Sequence, residues 1–156
     1  MDAMDGLARA IHQRYLAAMF RAGMGASETP ALVEWEALPE EYREANRAQA
    51  RDIVAKMHAI GWIIVPAKDG EAFEPSADEL DLLAREEHER WARQRRADGW
   101  CYGPVRDDEA LRHPMLIPYD DLPVDEQQKD IDAVLEIPAL LAAAGLGLRR
   151  RSAAEP

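Results

Sequence analysis

The sequence has one cysteine, Cys101, so no internal disulfide can form and a reducing cytoplasm is the expected setting. It lacks a long apolar run. The longest nearly uncharged stretch, Ile137 to Leu148, reaches about half the ~20 residues that a membrane-spanning helix needs. The N-terminus has neither a basic region nor an apolar one, so no secretory signal is expected. Positive charge is scarce: 19 basic residues face 30 acidic ones, for a net charge of -11 and a pI near 4.8. General nucleic-acid binding and docking on anionic membranes both need a basic face, so neither is expected. Enzyme signatures are missing as well. There is no HExxH, P-loop, strand-linked GxGxxG or GxSxG, and Cys101 has no CxxC partner. Glu86, Glu87 and Glu89 lie near His88 but leave the helix in different directions. The expectation is therefore a non-catalytic protein with no metal and no cofactor.

What the chain does have is itself, twice. At an offset of 76, Leu7/Leu83, Ala8/Ala84, Arg9/Arg85, His12/His88, Arg14/Arg90 and Gly23/Gly99 are identical, and Tyr15 faces Trp91. At an offset of 84, Trp35–Pro39 matches Tyr119–Pro123, Ile53 matches Ile137, and Gly61 matches Gly145. The second copy therefore carries eight extra residues within Gly99–Tyr119. Each copy reads helix, connector, helix. Leu7, Ile11, Tyr15, Ala18 and Ala22 form one apolar stripe, and Ile53, Met57 and Ile60 form another. Pro39, followed by Glu40 and Glu41, marks the start of the second helix. Ser76 to Glu79 is a capping-box signature for the third helix, which Gly99 should close. The fourth should follow Pro123 and break or restart at Pro138. Trp62–Val65, Trp100–Tyr102 and Met115–Ile117 have strand composition but are too short for a substantial sheet.

The expected fold is mainly α, with two pseudo-twofold-related helix–connector–helix repeats and short β-segments. The boundaries are a first repeat over 1–66, a polar linker over 67–75, a second repeat over 76–149 and a flexible tail over 150–156. Each copy alone has a marginal core, so the two are expected to pack as one compact unit.

The unusual chemistry lies in the second copy. Trp91, Trp100, Tyr102 and Tyr119 cluster within 29 residues, with Arg95, Arg96, Arg106, Arg112 and His113 around them. A flat aromatic face stacks a base, and guanidinium forks match phosphate or carboxylate oxygens. Each residue also has a plainer reading. Trp91 and Tyr119 read as core, while Trp100 stands between core and pocket, just past a cap glycine. Arg106 makes either an internal ion pair with Asp107 or Asp108 or a contact to an anion. His88 reads as a buried histidine bonded to a carbonyl or carboxylate, and its match to His12 gives both a structural role. Gly103 allows a tight turn or a close approach, and Pro114 after His113 fixes the loop.

These motifs also carry a resemblance. His88–Trp91, Gly99–Asp108 (GWCYGPVRDD), His113-Pro114, Leu116, Pro118-Tyr119, Leu122 and the helix ending at Gly145 resemble the RyR domain, the repeat unit named after ryanodine receptors. Residues 1–65 resemble it far less. Gly23, Met24 and Gly25 stand where Gly99–Gly103 stand in the other copy. The resemblance implies a mostly helical, two-fold repeated domain whose paired units hold an adenine nucleotide between aromatic side chains, with no established enzymatic activity. The expected ligand is thus small, anionic and adenine-nucleotide-like. Trp91, Trp100, Tyr102 and Tyr119 would supply aromatic surface, and Arg106, Arg112 and His113 would contact phosphate or ribose. His12, His88, Gly99, Gly103 and Pro114 would be structural. Two alternatives stand beside it: a protein-interaction or homodimerisation module, and, lower, an enzyme acting on a nucleotide.

Overall fold

A computed structural model describes residues 2–23 and 30–152. The expectations placed on Met24, Gly25 and the end of the tail lie outside the described residues. Helix α1 spans Ala3–Arg21 and is capped by the Asp2 carboxylate, which accepts from the amides of Met4 and Asp5. Helix α2 spans Glu40–Ala59, with Pro39 before it and Glu40 and Glu41 in its first turn. Strand β1 is Trp62–Pro66. Helix α3, Ala77–Ala97, opens on the complete capping box of Ser76 and Glu79. Gly99 takes the left-handed φ of 94° that ends it. Strands β2 and β3 are Cys101–Tyr102 and Arg112–His113. Helix α4, Val124–Leu135, stops just short of α5, Ile137–Ala143. Pro138 has no N–H to continue the ladder. Strand β4 is Leu146–Arg150. No helix among the described residues is long and apolar enough to cross a membrane.

Two expectations are corrected. Met115–Ile117 is not a strand. The parallel partner of β2 is β3, with Cys101 opposite Arg112 and Tyr102 opposite His113. Pro114 and Pro118 deny ladder donors to the intervening run, and the Met115 amide donates to His113 Nδ1 instead. The tail also begins later than expected. Arg149 and Arg150 belong to β4, which pairs antiparallel with β1 from Trp62↔Arg150 to Pro66↔Leu146. The segment expected to be a linker is pinned: Ala67–Asp69 is a 3-10 turn, and the Glu71 amide donates to Leu148 O at 2.7 Å.

Contacts divide the chain into two units: the described residues of Met1–Phe73 with Ile137–Pro156, and Glu74–Glu136. This division differs from the repeat boundaries, because α5 packs on α1 and β4 pairs with β1. In the first unit Leu7, Ile11, Leu32, Met57, Trp62 and Leu141 are buried. In the second, Ala84, Tyr119 and Leu122 form one cluster, and Ala92, Trp100 and Leu116 form another.

The two helical hairpins, α1–α2 and α3–α4, share local geometry at the offsets read from the sequence. His12 Nε2 donates to Val33 O at 2.6 Å, and His88 Nε2 donates to Ile117 O at 2.7 Å. His12 stacks on Tyr15 and is tilted against Trp35; His88 stacks on Trp91 and is tilted against Tyr119. Arg9 pairs with Glu36, as Arg85 pairs with Asp120. Arg43 Nε donates to Trp35 O at 3.0 Å, as Gln127 Nε2 donates to Tyr119 O at 2.9 Å.

The histidine bond ties each connector to its first helix. His88 is 3% exposed, so removing its ring orphans a carbonyl as well as opening a void. His88→Ala is expected to cost about 1–3 kcal/mol from the unpaired group alone, read as a lower urea midpoint. Phenylalanine at this position should fill the void but leave the carbonyl cost.

Candidate functional site

The site is built on one face of α3. His88, Trp91 and Arg95 follow each other at spacings of three and four, which align them along that face. The capping box and Gly99 fix both ends of the helix, so these side chains project from a rigid support. Three further pieces meet them. The turn after β3 brings His113, Pro114 and Met115. The loop between β2 and β3 brings Arg106, and α4 brings Glu126, Lys129 and Asp130. Together with Leu122 they line a cavity of about 420 Å³, within the size range of small-ligand sites.

Trp91 is held from two sides. The His88 ring stacks against it at 5.6 Å, and the His113 ring meets it edge-on at 4.9 Å. Trp91 meets both readings: it is partly buried against the Ala92, Trp100 and Leu116 cluster, and it also lines the cavity. Trp100 resolves the other way. It is 8% exposed, packed with Ala92 and Leu116, and absent from the cavity wall. Arg95 lies 5.8 Å from the Trp91 ring and 5.1 Å from the Trp100 ring, a bridging cation over two indoles.

Arg106 answers both sequence readings. Its Nε donates to Asp108 at 2.8 Å, and the same side chain lines the cavity and lies 5.9 Å from the Trp100 ring. Tyr102 and Arg112 are placed apart from Trp91. With Arg106 they border a shallower groove along the Gly103–Glu109 loop. Tyr119 is 8% exposed in the core beside Ala84 and Leu122, with the Arg85 guanidinium 4.9 Å from its ring. Gly103 serves a close approach, but to Arg112: a Cβ there would sit 2.7 Å from Arg112 Cβ. Sequence reasoning missed Glu126, Lys129 and Asp130 as wall residues. The only signal was their spacing, and a polar helix face ordinarily reads as solvated.

The electrostatics are divided. Arg95 and Arg106 supply positive charge, while Glu126 and Asp130 supply negative charge from α4, with Lys129 paired to Glu126 at 2.7 Å. Burial, reinforced by the charges of Arg106 and Arg95, holds His113 below the ordinary histidine range. Its Nδ1 accepts the Met115 amide at 3.1 Å, so the neutral ring carries its proton on Nε2. Burial pushes the Asp130 carboxyl above its usual range, and His88, whose Nδ1 lies 3.8 Å away, partly offsets this.

The different placement of the two indoles has a measurable consequence. Trp100→Ala empties a core position and is expected to cost about 3–5 kcal/mol. Trp91→Ala removes a cavity wall and should lower the urea midpoint much less.

The RyR domain family model matches residues 74–150, just under half of the chain.

Proposed function

With residues 74–150 belonging to the RyR domain family, we propose that they form a non-catalytic receptor for a small anionic, adenine-nucleotide-like ligand. The observation that carries this reading is the convergence of the Trp91 ring, Arg95, Arg106 and His113 on one cavity. A base stacked on an indole gains about 1–3 kcal/mol. Guanidinium groups pair with phosphate oxygens, and His113 adds a neutral N–H donor. Glu126 and Asp130 on the opposite wall suit the hydroxyl donors of a sugar. They also disfavour a long polyanion, in keeping with the net charge of -11. A binding role fits better than catalysis. His88, whose Nδ1 lies 3.8 Å from Asp130, commits its Nε2 to the Ile117 carbonyl, a bond that ties the connector to the helix.

Calorimetry of the full chain against AMP, ADP, cyclic AMP and ADP-ribose tests the proposal. At least one should bind and raise Tm. Trp91→Ala and Arg106→Ala should each weaken binding by roughly tenfold, while Tyr102→Ala should leave it unchanged. Absence of both heat and thermal shift at millimolar ligand overturns the reading.

Affinity should also depend on pH. In the empty site His113 is held neutral at pH values where a free histidine, with a pKa of about 6.5, would protonate. A bound phosphate favours the protonated ring, so binding takes up protons and tightens as pH falls below that value. The same depressed pKa makes His113 a source of stability above pH ~6.5 that is lost as pH falls below it. Titration in two buffers of different ionisation enthalpy reads the proton uptake, and His113→Gln should abolish it.

A second reading is a protein-interaction or homodimerisation module. Tyr102 and Val105 are 56% and 75% exposed on the same loop and favour it. Trp100, buried in the core, does not contribute to such a surface. Loss of a dimer on Tyr102→Ala, without any nucleotide effect, would support this alternative.

A further inference from the structure

The first hairpin contains a cavity of its own, about 450 Å³, between α1 and α2. Its wall repeats the positions of the cavity in the second hairpin. His12 and Tyr15 stand where His88 and Trp91 stand, 76 residues earlier. Ala31, Leu38, Tyr42, Ala45 and Asn46 stand where Met115, Leu122, Glu126, Lys129 and Asp130 stand, 84 residues earlier. The position is kept and the charge is not. Glu126 becomes Tyr42, Lys129 becomes Ala45, and Asp130 becomes Asn46. Arg14 is the one formal charge on this wall among the described residues.

We propose that the α1–α2 cavity is a second, separate binding site, for an uncharged planar ligand of the nucleobase or nucleoside class. Tyr15 and Tyr42 supply ring faces. Tyr15 is backed by the His12 ring at 6.0 Å, and His12 is in turn fixed by its bond to Val33 O. Asn46 and Gln49 supply amide groups, each a donor and an acceptor, suited to the edge of a heterocycle. A phosphate would meet a single cation on this wall among the described residues, Arg14, against Arg95 and Arg106 in the second hairpin. The two cavities thus divide by ligand charge. This proposal does not rest on nucleotide binding in the second hairpin.

The experiment is calorimetry of the full chain with adenosine as the probe. Millimolar or tighter binding is expected, with little dependence on salt. In a Trp91→Ala background, which removes stacking in the other cavity, the binding should persist, and adding Tyr15→Ala should weaken it by roughly tenfold. Gln49→Ala, on the partly exposed face of α2, keeps a strong helix former and should also weaken binding. It decides the matter if Tyr15→Ala proves unstable. No adenosine binding at millimolar concentration overturns the proposal. So does binding that is lost on Trp91→Ala and retained on both Tyr15→Ala and Gln49→Ala. AMP binding that depends on Trp91 is a separate result, so the two sites stand or fall independently.

Discussion

One hydrogen bond organises the second hairpin. His88 is buried on α3, and a buried imidazole must find a partner for its N–H. It finds the carbonyl of Ile117, 29 residues away. That single contact fixes where the long connector returns to the helix. It sets the 3-10 turn at Tyr119–Asp121 and the start of α4 beyond Pro123. It also fixes the plane of the ring on which Trp91 stacks. The cavity is therefore a consequence of how the hairpin is tied together. Its floor is the structural histidine, and its walls are the elements which that histidine holds in place.

Eight additional residues distinguish the second connector in sequence. They form the parallel pair β2–β3 and the tight closure at Asp107–Arg112, where Leu111 adopts a left-handed φ of 57°. This closure delivers His113 and Arg106 to the face of α3. The first connector is shorter, and its cavity keeps the histidine and the aromatic ring, with Arg14 of α1 as the one cation on its wall among the described residues. The histidine–carbonyl bond and the histidine–ring stack occur in both hairpins, while the residues lining the two cavities differ in charge.

Much of this was legible from local rules. The capping box at Ser76, the closing glycine at Gly99, the prolines before α2 and α4 and the structural role of both histidines follow from spacing and residue type. What was not legible depends on long-range packing. The helical stripe suggested that Trp91 is core, because a side chain three residues after a buried one shares its face. Yet the face is wider than the partner that covers it, and Trp91 falls at its open edge. Trp100 lies beyond the helix, where no periodicity applies, and it folds back on Ala92 and Leu116. Strand β4 is charged at one end and five residues long, so its strand character comes from β1 rather than from its own composition.

The two titratable groups of the cavity are perturbed in opposite senses, His113 downward and Asp130 upward. His113 is held neutral, and it gives up stability as pH falls below the ordinary histidine range. The Asp130 carboxyl has a raised pKa, so its contribution to stability is present at low pH and lost as pH rises through the folded-state value. The cavity therefore sets a carboxyl whose charged form burial disfavours beside an imidazole whose charged form burial and two guanidinium groups disfavour. Under the proposed binding role, a ligand with hydroxyl donors for the carboxylate wall and an anion for the His113 side would relieve both costs at once.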